Sequence, residues 1–164
     1  MSEGVHVRQV QLADLEACAH IEDVCYGGHG ATRIRIERRI REYPEGFWVA
    51  SADGRVVGFV NSGCVLLDDI GDERLKDLEG HDRDGSNRVI FSLAVHPDAQ
   101  GKGLARLLLE RFIRESLSAG KRAILLICRS ELLTFYERFG FVYRRPSRAT
   151  YGGHTWFEMA LTLS

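Results

Sequence analysis

Residues 88–113 read RVIFSLAVHPDAQGKGLARLLLERFI, and the order of what they contain leaves few folds open. The first eight form an almost unbroken apolar run, the pattern of a strand covered on both faces. Pro97 ends it. Gly101 and Gly103 then flank Lys102, and Leu104, Leu107, Leu108, Phe112 and Ile113 recur at helical spacing toward Gly120, a good residue for a helix end. A buried strand, a bare loop and an amphipathic helix in succession predict an α/β protein. The loop also predicts anion binding. A helix leaves its first N–H groups without internal partners, and its dipole turns its positive end there. Glycines lacking Cβ let an anion approach the backbone, and Lys102 adds a charge.

Three phosphate-loop patterns compete for this stretch. The dinucleotide fingerprint GxGxxG places its third glycine where Arg106 stands. The P-loop GxxxxGK[ST] requires Ser or Thr where Gly103 follows Lys102. The pattern [RQ]xxGx[GA] is met throughout by Gln100, Gly101, Lys102, Gly103, Leu104 and Ala105.

The remaining chain supplies alternating helices and strands. VHVRQVQ from Val5 alternates as a strand, a helix follows from Asp14 toward Gly27, and residues 33–42 read as a second helix ending before Pro44. Asp53-Gly54 predicts a hairpin turn between apolar flanks. Residues 68–87 are polar and acid-rich, a long loop with a helical turn. RAILLIC is a further buried strand, ELLTFYERFG a short helix, and FVYRR and TWFEMALTL the last two strands. The predicted order is βααβββαβαββ: one mixed sheet with helices on both faces, and one domain over residues 1–164.

Composition narrows the function classes. The formal net charge of −1 argues against a nucleic-acid partner. No apolar run reaches bilayer length, and Met1-Ser2-Glu3-Gly4 does not open a leader peptide, so a cytoplasmic protein without membrane contact is expected. Cys18, Cys25, Cys64 and Cys128 have no zinc-ligand spacing and read as free thiols. The arginines of the second helix read as a solvated face opposite Ile34, Ile36 and Ile40.

The QGKGLA loop after a buried strand, together with CRSELLTFYERFGF at residues 128–141, resembles the GCN5-related N-acetyltransferases (GNAT). SLAVH, QGKG, FYERFGF and the FEM after Trp156 are most similar to the arylalkylamine (serotonin) N-acetyltransferases. The resemblance implies a central sheet splayed between two strands. It implies acetyl-CoA as co-substrate, a small primary amine as acceptor, direct transfer in a ternary complex, and a monomer or homodimer. Residues 100–105 would hold the pyrophosphate, and the backbone of Leu93, Ala94 and Val95 would pair with the pantetheine arm. Tyr136 would protonate the leaving sulfur. Serotonin acetyltransferases carry a histidine pair before LAVH; the matching positions here are Val89 and Phe91, so a different group must take the amine proton.

Glu22, near the glycine-rich turn YGGHG, is the first candidate for that base, with His29 and ordered water as alternatives. By itself Glu22 reads as a solvated helix carboxylate. Tyr26, Phe91 and Trp156 are candidate substrate-binding aromatics, and His154 a further one. His6, His20 and His81 read as surface residues, and His96 as the end of a strand. A protein N-terminus or lysine as acceptor, and a non-catalytic acyl-CoA-binding module, are the competing readings.

Overall fold

A computed structural model describes residues 4–66 and 69–163. Met1, Ser2 and Glu3, read for a leader, and Asp68 of the acidic stretch lie outside them. The elements are β1 (Val5–Gln9), α1 (Leu15–Tyr26), α2 (Arg33–Glu42), β2 (Trp48–Ala52), β3 (Arg55–Val65), β4 (Asn87–Val95), α3 (Leu104–Ser118), β5 (Ala123–Cys128), α4 (Leu133–Glu137), β6 (Val142–Pro146) and β7 (Phe157–Thr162). Their order is the predicted one. The strands form a mixed seven-stranded sheet in the order β1-β2-β3-β4-β5-β7-β6. The β4–β5 pair is parallel and covers Asn87–Ile90 of β4; β1–β2, β2–β3, β5–β7 and β6–β7 are antiparallel. Asp53 and Gly54 both take positive φ, 52° and 81°, as the two-residue turn of the β2–β3 hairpin requires.

Chain contacts divide the protein into two compact units. The first runs to Ser62 and adds Ser92–Arg114. Its core gathers Leu15, Cys18 and Ile21 of α1, Ile36 and Ile40 of α2, and Phe47, Val49 and Phe59. Thr32 caps α2, its side chain accepting the Arg35 N–H at 3.2 Å. Helical spacing sets Arg39 beside Ile36, and Arg39 is buried and donates to Asn61 Oδ1 at 3.3 Å. The solvated arginine face thus excludes Arg39, while Ile34, expected to pack, is 71% exposed.

The second unit comprises Gly63–Phe91 and Glu115–Ser164. Val65, Ile70, Leu75, Leu78, Val89, Phe91 and Leu125 form its apolar cluster. The long polar stretch does contain a helical turn, Glu73–Asp77, which sends Leu75 into that cluster. His81 is not a surface residue: it is half-buried, and its Nδ1 accepts the Cys64 N–H at 2.9 Å. α3 contributes to both units. Leu104, Leu108 and Phe112 are buried on its i, i+4 ladder together with Leu109, and Leu107 is left exposed instead.

In the first unit, Arg8 of β1 grips Asp14 with two bonds of 2.8 and 2.9 Å, and the Gln11 N–H adds a third at 2.8 Å. Burial pushes the Asp14 carboxyl up, but the Arg8 guanidinium and the Gln11 amide outweigh it and hold the group below its ordinary value. A carboxyl lowered by folding stabilises the native state above its unfolded pKa, about 3.9, and loses that contribution as pH falls through the lowered value. Asp14→Asn is therefore expected to be less stable at neutral pH and to lose less stability between about pH 5 and pH 2. Urea unfolding across that range measures both.

Candidate active site

In the first unit the glycine loop takes the shape its sequence demands. Gly101 and Gly103 both have φ of 79°, and a Cβ at either would meet nothing within 4 Å. The glycines thus serve backbone conformation rather than packing. The Gly103 carbonyl accepts the Leu107 N–H at 3.1 Å, the first bond of α3. Among the described residues, no protein group accepts from the N–H groups of residues 101–105. Five amides without a protein acceptor, two left-handed glycines and the exposed Lys102 precede a helix start, where an anion would find open donors and a positive dipole end. The Gln100 side chain donates to the Val95 carbonyl at 2.9 Å.

The end of β4 lies beside this loop in the chain. Just past it, the His96 N–H donates to Val57 O of β3 at 2.8 Å, and His96 Nδ1 accepts the Asp98 N–H, consistent with a strand-end histidine. Main-chain groups of alternate residues point to opposite strand edges. Leu93 and Val95 therefore face the edge away from β3, and both lie past the β4–β5 pairing, which ends at Ile90. Their carbonyls have partners from α1: the Tyr26 hydroxyl donates to Leu93 O at 3.1 Å and the Cys25 thiol to Val95 O at 3.3 Å. Ala94 is buried.

Glu22 is 2% exposed, not the solvated carboxylate its position on a surface helix suggests. Its Oε2 accepts the Ala31 N–H at 2.8 Å and faces the Ser92 hydroxyl at 3.5 Å. Its Oε1 is buried and has no partner among the described residues. A Cβ on Gly30 would come within 2.9 Å of Oε2 and 3.0 Å of Cγ, so the glycine-rich turn is what lets the carboxylate fold in. Burial and the Glu22 charge push the Cys25 thiol and the Tyr26 phenol up, so both stay protonated donors. The Tyr26 ring is half-exposed, and Asp23 and His29 are exposed.

The second unit holds the other candidates. Tyr136 of α4 is buried, edge-on to Phe135 and Phe141 with centroids at 5.1 and 5.6 Å. Phe91 and Val89 line a small pocket with Ile70, Leu75, Ile127 and Tyr151. A Cβ on Gly63 would stand 2.7 Å from the Phe91 ring, so that glycine makes room for it. Trp156 is half-buried, its Nε1 donating to Tyr151 O at 2.9 Å and its ring edge-on to Tyr151. His154 is exposed and lies before β7 rather than in it. All four cysteines are free, and burial pushes Cys128 up to about 11, which leaves it a poor nucleophile near neutrality.

The first unit thus brings Glu22, Tyr26, Leu93 and Val95 together at the end of β4. Sequence reasoning missed Ser92, Cys25 and the Ala31 amide. A lone serine inside the apolar run of β4 was the available signal for the first of these.

The sequence matches the acetyltransferase (GNAT) family over residues 12–141. Among curated relatives, it is 34% identical to the serotonin N-acetyltransferase of Mesocricetus auratus over 115 residues, 68% of this chain and 53% of that protein. It is 28% identical to the acetyltransferase SG1711 of Sodalis glossinidius over 63% of this chain and 61% of the relative. The chain thus spans about half to three fifths of the length of these two relatives. Among solved structures, the loading GNATL domain of CurA from Lyngbya majuscula superimposes with a TM-score of 0.87 at 16% identity, covering 98% of both chains. The Salmonella typhimurium protein yncA, solved with acetyl-CoA, gives 0.72 at 22% identity over 99% of this chain and 95% of that one. At these identities the superpositions establish the fold, and the match over residues 12–141 establishes the lineage: the chain belongs to the acetyltransferase (GNAT) family.

Proposed function

We propose that the chain moves the acetyl group of acetyl-CoA to the primary amine of a small molecule by direct transfer within a ternary complex. The observation that carries this reading is the row of unpartnered amides at residues 101–105, which a diphosphate satisfies. Leu93 and Val95 would then pair with the pantetheine arm, and a β4 N–H would polarise the thioester carbonyl as negative charge develops there. The small-molecule acceptor is an inference from the family resemblance.

The chemistry assigns the remaining roles. An alkylammonium has a pKa of about 10.4, so freeing its lone pair near pH 7 costs roughly 3 units, or about 4 kcal/mol. Glu22 is the group that accepts that proton: the buried, unpartnered Oε1 is a ready acceptor, and the Ala31 amide and Ser92 hydroxyl hold the carboxylate in place. The departing thiolate resembles a cysteine, with a pKa of about 8.5, and Tyr136 is its proton donor. Burial raises the Cys128 thiol, which argues against Cys128 as an acyl carrier.

An acetyl-transfer screen over arylalkylamines, polyamines, amino acids and peptides, followed by release of free CoA, tests the reading. Turnover is expected with small amines. Turnover confined to peptides would replace the acceptor class, and tight acetyl-CoA binding without turnover of any amine would leave only a binding module. With a turned-over amine in hand, Glu22→Gln is expected to lower kcat by about a hundredfold or more. Tyr136→Phe is expected to lower kcat by about tenfold to a hundredfold with little change in the KM for acetyl-CoA. Gly103→Ala forces a side chain into the left-handed region and is expected to cost about 1 kcal/mol or more of stability while raising that KM.

A further inference from the structure

We propose that the last turn of α1 is a strap over the cofactor strand, in which Tyr26 and Cys25 stand in for the amide N–H groups of an acyl-CoA arm and must be displaced for the arm to pair. The inference rests on the acyl-CoA reading above. Its own observation is that the outward carbonyls at the end of β4 are already taken from within the protein. Leu93 O accepts the Tyr26 hydroxyl at 3.1 Å, and Val95 O accepts both the Gln100 side-chain amide at 2.9 Å and the Cys25 thiol at 3.3 Å.

A carbonyl oxygen has two lone pairs. At Val95 both are occupied, so a ligand N–H has to evict a donor there. At Leu93 one is occupied, and the half-exposed Tyr26 ring lies where a ligand would approach that edge. Cys25 and Tyr26 sit one after the other at the end of α1, and the helix stops at Gly27, whose φ of 57° is left-handed. Gly28 and Gly30 follow in the next residues. The strap therefore hangs on a glycine-rich turn that can yield. Both donors are weakly acidic, because burial and the Glu22 charge raise them, so neither bond is lost by ionisation near neutral pH. Binding the arm exchanges internal hydrogen bonds for ligand ones, and the free protein's own bonds weaken its grip on the cofactor.

The consequence has an unusual sign: removing these side-chain donors tightens binding. Calorimetry with acetyl-CoA on the full chain compares wild type, Tyr26→Phe, and the double variant Tyr26→Phe/Cys25→Ala. Each bond removed is expected to lower the Kd for acetyl-CoA by about twofold to tenfold. Adenosine 3′,5′-bisphosphate, which has the nucleotide but no arm, is expected to bind all three proteins equally. Unchanged or weaker acetyl-CoA binding by both variants overturns the strap, as does a parallel gain for the armless nucleotide, which would indicate a general loosening of the site. If neither wild type nor the variants bind acetyl-CoA, the acyl-CoA reading itself falls, and the strap with it.

Discussion

A helix cannot satisfy its own first N–H groups, and in this protein the chain before α3 is built so that nothing else satisfies them either. Gly101 and Gly103 take a left-handed backbone conformation, and the Gly103 carbonyl starts the helix. Side chains at these two glycines would meet no neighbour, so packing does not select them. What selects them is the left-handed backbone, and that backbone leaves five donors open among the described residues. Leaving donors bare is a cost unless water or a ligand takes them. The loop follows the end of β4 in the chain, where the strand has run past its pairing with β5.

Much of this organisation was legible in the sequence because it is governed by local rules. The strand, loop and helix of residues 88–118 follow from apolar continuity, two glycines and a 3.6-residue period. The Asp53-Gly54 turn follows from the backbone conformations those residues tolerate, and the whole element order was recovered in this way. What local rules could not reach is where a polar side chain goes once the chain has folded. Arg39 and Glu22 both lie on helices that read as surface helices, and both are buried. Arg39 stands three residues after the buried Ile36, on the neighbouring turn of the same helix, and meets Asn61. Glu22 is drawn in because the chain returns at Ala31 to offer a backbone amide, which is possible only because Gly30 has no side chain to block it. His81 belongs with them: its bond to the Cys64 amide joins residues 17 apart in sequence. Leu107 and Leu109 exchanged places for a smaller reason, since a period alone does not say which flank of an apolar stripe faces inward.

Glu22, Cys25 and Tyr26 stand at i, i+3 and i+4 on α1, so one face of one helical turn carries all three. Each touches a different point of the same short stretch of β4: Glu22 faces the Ser92 hydroxyl, Tyr26 the Leu93 carbonyl and Cys25 the Val95 carbonyl. A helical turn is stiff, so a movement of its backbone would affect all three contacts together. In the proposed reaction, Glu22 is the proton acceptor while the other two cover the cofactor edge. Under that proposal, displacing Tyr26 and Cys25 would disturb the turn that carries the carboxylate. The unpartnered Glu22 Oε1 would then meet its amine only after the arm has settled on the strand. In that reading two requirements of acyl transfer, a seated thioester and a poised base, would depend on the same helical turn.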